Sequence, residues 1–199
     1  MRSFDILLSE SVQRHGHLCA GQIIGVRMAM LGCRLVGIDD PKSEQYRKKL
    51  IVYVEIDRCA TDAIESVTGC RLGKRTLKFR DFGINAATFV NIESGISFRI
   101  ISTERSRDLV TRYAPDEASH YQQQMKGYQL MPDNELFDVQ RVNVLLPDHD
   151  MPGPPGKHTE CSRCGQMVRD NKEVVVDGKP LCRICGDQGY FEIIDIVTT

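Results

Sequence analysis

Four cysteines near the C-terminus fall into two matched pairs. Cys161 and Cys164 bracket two residues in "CSRCG", Cys182 and Cys185 do the same in "CRICG", and 17 residues separate the pairs. Thiolates at this spacing can share one tetrahedral ion, because a two-residue gap makes a tight turn whose amides point at the sulfurs. All four donors come from the protein, so the group reads as a closed, structural Zn²⁺ site. A rubredoxin-like iron centre uses the same ligands, and four free or disulfide-bonded cysteines are the remaining alternative. A second group lies near the N-terminus. In "HGHLCAG", His15, His17 and Cys19 recur every second residue, just ahead of a long apolar run. In an extended segment they share one face. At a helix start, free amides and the macrodipole favour a thiolate at Cys19. The alternative is a buried cysteine beside a capping histidine.

Other cysteines bear on that second group. "DRCATDA" places Cys59 just after a strand-like run and at the start of a helix-like one. If Cys59 meets His17 and Cys19, the trio makes a borderline-soft N/S/S site for Zn²⁺ or another divalent transition metal, with one position left open. Asp57 and Asp62 are placed to orient His17. Cys70, in "TGCRLGK", is a further candidate. Cys33 lies inside an apolar helix and reads as core, while His120 and His149 sit in polar segments and read as exposed.

The elements that must position these groups follow from periodicity. Phe4, Leu7, Leu8 and Val12 repeat at helical intervals in "FDILLSESVQRH". "QIIGVRMAMLGCRLVGI" is a helix apolar on most of its circumference, hence buried, and Gly21, Gly25, Ala29 and Gly32 would let another backbone approach it closely. "LIVYVEI" reads as a buried strand. Thr61 or Asp62 reads as the cap of a short helix that Gly69 ends. "TLKFRDF", "AATFVNI" and "ISFRII" follow as closely spaced strands, suggesting a meander. A polar helical stretch interrupted at Pro115 and a last strand in "LFDVQRVNVLLP" complete the body. These elements describe an α+β fold with a mixed sheet over residues 1–150. "PDHDMPGPPGKH" is rich in proline and glycine; residues 151–157 read as a linker and 158–199 as a four-cysteine zinc finger. A unit that small needs a staple, which the cysteines supply. Between its pairs, "KEVVVDGKPL" reads as a hairpin turning at Asp177-Gly178, and Gly165 and Gly186 follow each pair where positive φ is useful. "RICGDQGYFEII" is open between a short helix and a strand. Knuckle, hairpin, then a cysteine pair at a helix start resembles the treble-clef class, with the zinc ribbon as the other candidate.

Composition narrows the function classes. Residues 1–156 hold 20 basic and 20 acidic side chains and residues 157–199 hold 6 and 7, so neither part has the basic excess of a nucleic-acid binder. No apolar run approaches the ~20 residues of a membrane span. Asp5 and Glu10 interrupt an N-terminus that is otherwise too weakly apolar for a signal peptide. The expectation is a cytoplasmic protein, in which eight cysteines mean metal or redox chemistry rather than disulfides.

"HGHLCAGQIIGVRMA", followed by "DRCATDAIESVTGCRLGK" and then strands, resembles the FmdE/FwdE family, the E-type subunits of molybdenum/tungsten formylmethanofuran dehydrogenase, over about residues 10 to 145. Members most often show "HGHxCPG"; here Ala20 stands at the proline position, which alters local stiffness and leaves the ligand types intact. The resemblance implies an α+β core of helix, strand, helix and three strands, and a homodimer. It carries the family's histidine and cysteines over to His17, Cys19 and Cys59, with His15 and Cys70 as further candidates. It also implies a link to anaerobic one-carbon metabolism and methanogenesis, with the other subunits of a molybdenum or tungsten oxidoreductase as partners; nothing in the chain resembles a pterin site or a cluster-binding cysteine run.

Three functions are consistent with these residues. One is a metal-binding accessory protein of such an oxidoreductase. Another is a free-standing metal- or thiol-dependent enzyme using His17, Cys19 and Cys59. A third is a regulatory or nucleic-acid-binding module carried by the finger, against which the finger's neutral charge argues.

Overall fold

A computed structural model of the chain describes residues 1–197. The chain divides into two compact units, one of Met1–Leu146 and one that begins at Pro147. The sequence places the first boundary at 150, but the short 3-10 turn Asp148–Asp150 belongs to the second unit.

The first unit opens with helix α1 (Phe4–His15), which stops where Gly16 turns left-handed at φ 97° and donates its N–H to the Val12 carbonyl. The chain stays extended at Cys19, the N-cap of α2 (Ala20–Leu35). Helix α2 is the buried axis of the unit: Ile23, Val26, Met28, Ala29 and Cys33 have no exposed surface. Its small residues serve as expected. A Cβ on Gly21 would stand 2.8 Å from the Cβ of Cys59, a Cβ on Gly25 would strike the backbone of Ala60, and one on Gly32 would strike the Phe89 ring. The first two contacts let α3 (Cys59–Thr68) lie directly on α2. Helix α3 begins at Cys59 with Arg58 as N-cap, ahead of the Thr61 or Asp62 cap expected from sequence. Thr61 instead donates its hydroxyl proton to the Ile56 carbonyl, and Gly69 ends the helix at φ 69° as expected.

The sheet is mixed and five-stranded, in the order β2-β1-β3-β4-β5. Strand β1 (Leu50–Val54) is buried throughout and sits between β2 (Leu77–Phe79) and β3 (Ala86–Asn91). It runs parallel to β2, with Val52 opposite Leu77, and antiparallel to β3, with Val52 opposite Phe89. β3 pairs with β4 (Ser97–Ser102) and β4 with β5 (Phe137–Arg141), both antiparallel. The expected meander therefore holds only from β3 onward. β2 lies on the far side of β1, because the α3 crossover returns the chain in the same direction, which a hairpin cannot do. Helices α4 (Glu104–Tyr113), α5 (His120–Leu130) and the short α6 (Asp133–Leu136) link β4 to β5, interrupted near Pro115 as the sequence indicates. Arg27 of α2 ties them down, donating to the carbonyl of Tyr128 at 2.7 Å, to the carbonyl of Met131 and to Asp133 at 2.6 Å.

The second unit is built on two small hairpins, β6 (His158–Glu160) with β7 (Met167–Arg169) and β8 (Val174–Val176) with β9 (Lys179–Leu181). Asp177 and Gly178 turn the second hairpin with φ of 50° and 73°, the double positive φ of a type I′ turn. A single helical turn over Ile184–Gln188 follows, and residues 189–197 form neither helix nor strand. The apolar interior of this unit is Leu181 with Val168, Val174 and the cysteines, so packing alone does little to hold it.

Candidate metal centres

In the second unit, the thiols of Cys161, Cys164, Cys182 and Cys185 lie within 4.8 Å of one another. The first pair sits in the knuckle between β6 and β7. Cys161 donates its N–H to the Gln166 carbonyl, Gly165 at φ 73° donates to the Cys161 carbonyl, and Ser162 donates to the Pro180 carbonyl of β9. The second pair enters from the end of β9 and the helical turn after it. Gly186 does not take the positive φ expected of it. It has φ −94°, Asp187 carries the positive φ of 61°, and a Cβ at 186 would strike Val174. Gly186 thus permits close packing, and the left-handed backbone moves to the next residue. All eight cysteines of the chain are free. The Cys164 and Cys182 sulfurs are 3.8 Å apart. Two sulfurs bound at ~2.3 Å to one tetrahedral ion stand about 3.8 Å apart, so the cluster has the dimensions of a four-sulfur metal site. Amides of Cys182, Cys164 and Arg163 aimed at the Cys161 sulfur pull its thiol down to about 6. Burial and the surrounding sulfurs push Cys185 up to about 12. Sulfurs packed this closely repel one another as thiolates, and a cation among them would offset that repulsion.

The first unit has its own cluster: His15, His17 and Cys19 place one ligand atom each within 4.8 Å of one another. The sequence supplies it locally. α1 ends at His15, Gly16 reverses the chain, and the residues leading to Cys19 carry His17 back over His15, with ring centroids 4.6 Å apart. His15 donates its Nδ1–H to the Asp62 carboxylate on α3 at 2.9 Å. That leaves Nε2 as the ligand nitrogen, and Nε2 is buried with no hydrogen-bond partner among the described residues. A buried unpartnered imidazole nitrogen, a thiol and a second imidazole, with a carboxylate behind the first ring, are the donor set and the supporting hydrogen bond of a borderline-soft divalent metal. The residues therefore fit an ion. Three donors leave a position open in a tetrahedral site, and His17 is exposed.

Cys59 lies at the first turn of α3 beside Cys19, outside the group of three; burial, with the Cys19 thiol next to it, pushes its thiol up. Asp62, expected to orient His17, orients His15, and Asp57 stays exposed. Cys70 joins neither cluster. Past the left-handed turn at Gly69 it packs with the apolar core, with its thiol 3.6 Å from the Leu50 carbonyl, and burial pushes it up to about 11. Cys33 is core, and His120 and His149 are exposed, as read from sequence.

One support of the site is not evident from residue spacing. Ser11 of α1 donates to the amide oxygen of Gln22 on α2, whose Nε2 donates to the Cys59 carbonyl at 2.6 Å. Through the buried Ser11 and Gln22 this relay joins the three helices that carry the cluster and its carboxylate. The only sequence signal for it is Gln22, a polar residue in an otherwise apolar helix face.

Residues 14–138 match the model of the FmdE family, described as "FmdE, Molybdenum formylmethanofuran dehydrogenase operon". The chain belongs to the FmdE family. The match spans the site from Arg14 through both histidines, Cys19 and Cys59 to β5. The FmdE fold recurs in a solved structure, that of a tungsten formylmethanofuran dehydrogenase FmdE-like protein from Syntrophus aciditrophicus, at TM-score 0.61 and 16% identity, covering 96% of each chain. A relative from Archaeoglobus fulgidus, named a probable S-adenosyl-L-methionine-binding protein, is 26% identical over 202 aligned positions covering 92% of this chain. The chain spans about half, 53%, of that curated relative's length. No described helix is long and apolar enough to cross a membrane.

Proposed function

We propose that this chain is a metal-binding accessory protein of a molybdenum- or tungsten-dependent oxidoreductase of anaerobic, methanogenesis-type one-carbon metabolism, resembling the E-type subunit of formylmethanofuran dehydrogenase. It works in the cytoplasm as a homodimer and docks on other subunits. The finger holds Zn²⁺ as a structural ion through Cys161, Cys164, Cys182 and Cys185, and the core centre holds Zn²⁺ or another divalent transition metal. The observation that carries this reading is the buried Nε2 of His15, without a hydrogen-bond partner among the described residues and set by Asp62 within reach of Cys19 and His17. A bound ion would supply a Lewis-acidic point there; the chain's own residues fix the imidazole tautomer and hold the helix ends together.

A second reading rests on a specific feature. The exposed His17 and the three-donor set favour a free-standing metal- or thiol-dependent enzyme, with Cys19 or a bound water as the nucleophile. Elemental analysis of anaerobically purified protein tests both readings at the metal level. About two ions per chain are expected in the wild type and about one in Cys19→Ala. Equal content in the two proteins would remove the core centre. Affinity capture from the source cell then separates the readings: recovery of identified molybdenum or tungsten oxidoreductase subunits supports the accessory role, and their absence favours the enzyme.

A further inference from the structure

The first unit contains a cavity of about 650 Å³ that none of the metal-centre residues lines. It is walled by α1, α3, the turns of residues 41–48 and the segment 69–76. Six cations face it: Arg14, Lys42, Arg47, Lys48, Arg71 and Lys74. Three carboxylates oppose them, those of Glu10, Glu44 and Glu65, an excess of three positive charges (six less three) in a protein whose net charge is −1.

The pairing inside the cavity sharpens that excess. Glu65 alone serves two guanidinium groups, Arg14 and Arg71, the latter at 3.6 Å. Glu10 is held by Arg2 through both oxygens and reaches Lys42 only at 3.7 Å. Among the described residues, Lys48 and Lys74 make no ion pair, and Lys48 is held at φ 60° in the turn before β1. Ser66 adds a hydroxyl-bearing side chain to the α3 wall. On the other wall, Pro41 and Tyr46 offer apolar surface.

We propose that this cavity binds an organic phosphate, a small molecule carrying two or more negative charges on phosphoryl groups attached to a ring-bearing body. The charge excess calls for more than the single charge of a monocarboxylate. Two half-neutralised guanidinium groups suit the bidentate geometry of phosphoryl oxygens. The volume exceeds what inorganic phosphate fills and lies within the range of small-molecule sites. Pro41 and Tyr46 supply the surface for the organic part. The site stands apart from the metal centre but is built on the same helices. Arg14 faces the cavity while the next residue, His15, faces the metal centre, and Glu65 lies three residues on from Asp62.

The test is calorimetric titration of the full chain, without added divalent ion, with ADP, pyrophosphate and adenosine as probes. ADP and pyrophosphate are expected to bind, and adenosine at least about tenfold more weakly than ADP. Lys48→Ala with Lys74→Ala, both exposed and outside any ion pair among the described residues and so harmless to folding, weakens ADP by about tenfold or more. Glu65→Gln frees Arg14 and Arg71 and tightens it. Cys19→Ala, which disables only the metal centre, leaves ADP binding in place. The proposal is overturned by absence of ADP binding, by adenosine matching ADP, by lysine and Glu65 variants that bind like wild type, or by loss of ADP binding in Cys19→Ala alone. The last result would place the phosphate on the metal. Metal content read in the same samples keeps this proposal separable from the metal-centre assignment.

Discussion

The Asp62 carboxylate on α3 accepts the Nδ1 proton of His15 on α1 at 2.9 Å, across 47 residues of sequence. This bond decides which nitrogen of His15 can meet an ion. It also fixes the ring orientation.

Replacing Asp62 with Asn removes the anionic acceptor while keeping its size. Affinity of the core centre should fall by about 10- to 100-fold, with the finger untouched. Competition titration against a graded series of chelators reads the two sites separately. Equal affinity in the variant would show that Asp62 does not serve the metal.

Gly25 faces the backbone of Ala60, where a side chain has no room. Gly25→Val should force α2 and α3 apart and cost about 1–3 kcal/mol, by overpacking that cannot relax into solvent. Denaturant unfolding of the first unit measures it. The loss of core-metal affinity should follow in the same variant, since Asp62, the partner of His15, rides on α3.

The finger has a different dependence. With Leu181, Val168 and Val174 as its apolar interior, removal of its ion should collapse the dispersion of amide signals from Pro147 onward and leave those of Met1–Leu146 in place. A heteronuclear spectrum taken before and after chelation shows whether the losses are confined in this way.

Cys70 and Cys33 carry a pH signature. Burial raises Cys70 from its ordinary 9.0 to about 11 and raises Cys33 further still. Well below pH 9 both thiols are neutral whether the chain is folded or unfolded, and no stability is lost. As pH climbs from 9 toward 11 the unfolded chain ionises them and the folded chain does not, so stability falls across that window. Alkylation at about pH 8 in the native state should spare both residues, with a thiolate fraction of about one in a thousand at Cys70. Labelling followed by peptide mass spectrometry checks this, with the exposed Cys164 of chelated protein as the reactive control.

The extent of α1, the buried character of α2, the interruption near Pro115 and the hairpin at Asp177-Gly178 are legible in the sequence, since each follows from local periodicity or from one residue's backbone preference. The finger is legible for the same reason: two C-x2-C turns are local geometry, and a shared ion needs only a hairpin to join them. His15, His17 and Cys19 also share one short segment, so their grouping is visible as spacing. Tertiary structure alone decided the rest. Which histidine receives the carboxylate depends on how α3 lies on α2, and that is set by Gly21 and Gly25 meeting Cys59 and Ala60. The same packing turns Cys70 into the core and sends β2 to the far side of β1 by a helical crossover. The Ser11–Gln22–Cys59 relay and the cationic cavity likewise exist only once helices and turns converge. Local chain chemistry fixes what each residue can offer, and partners tens of residues away are chosen by close packing, which spacing along the chain does not encode.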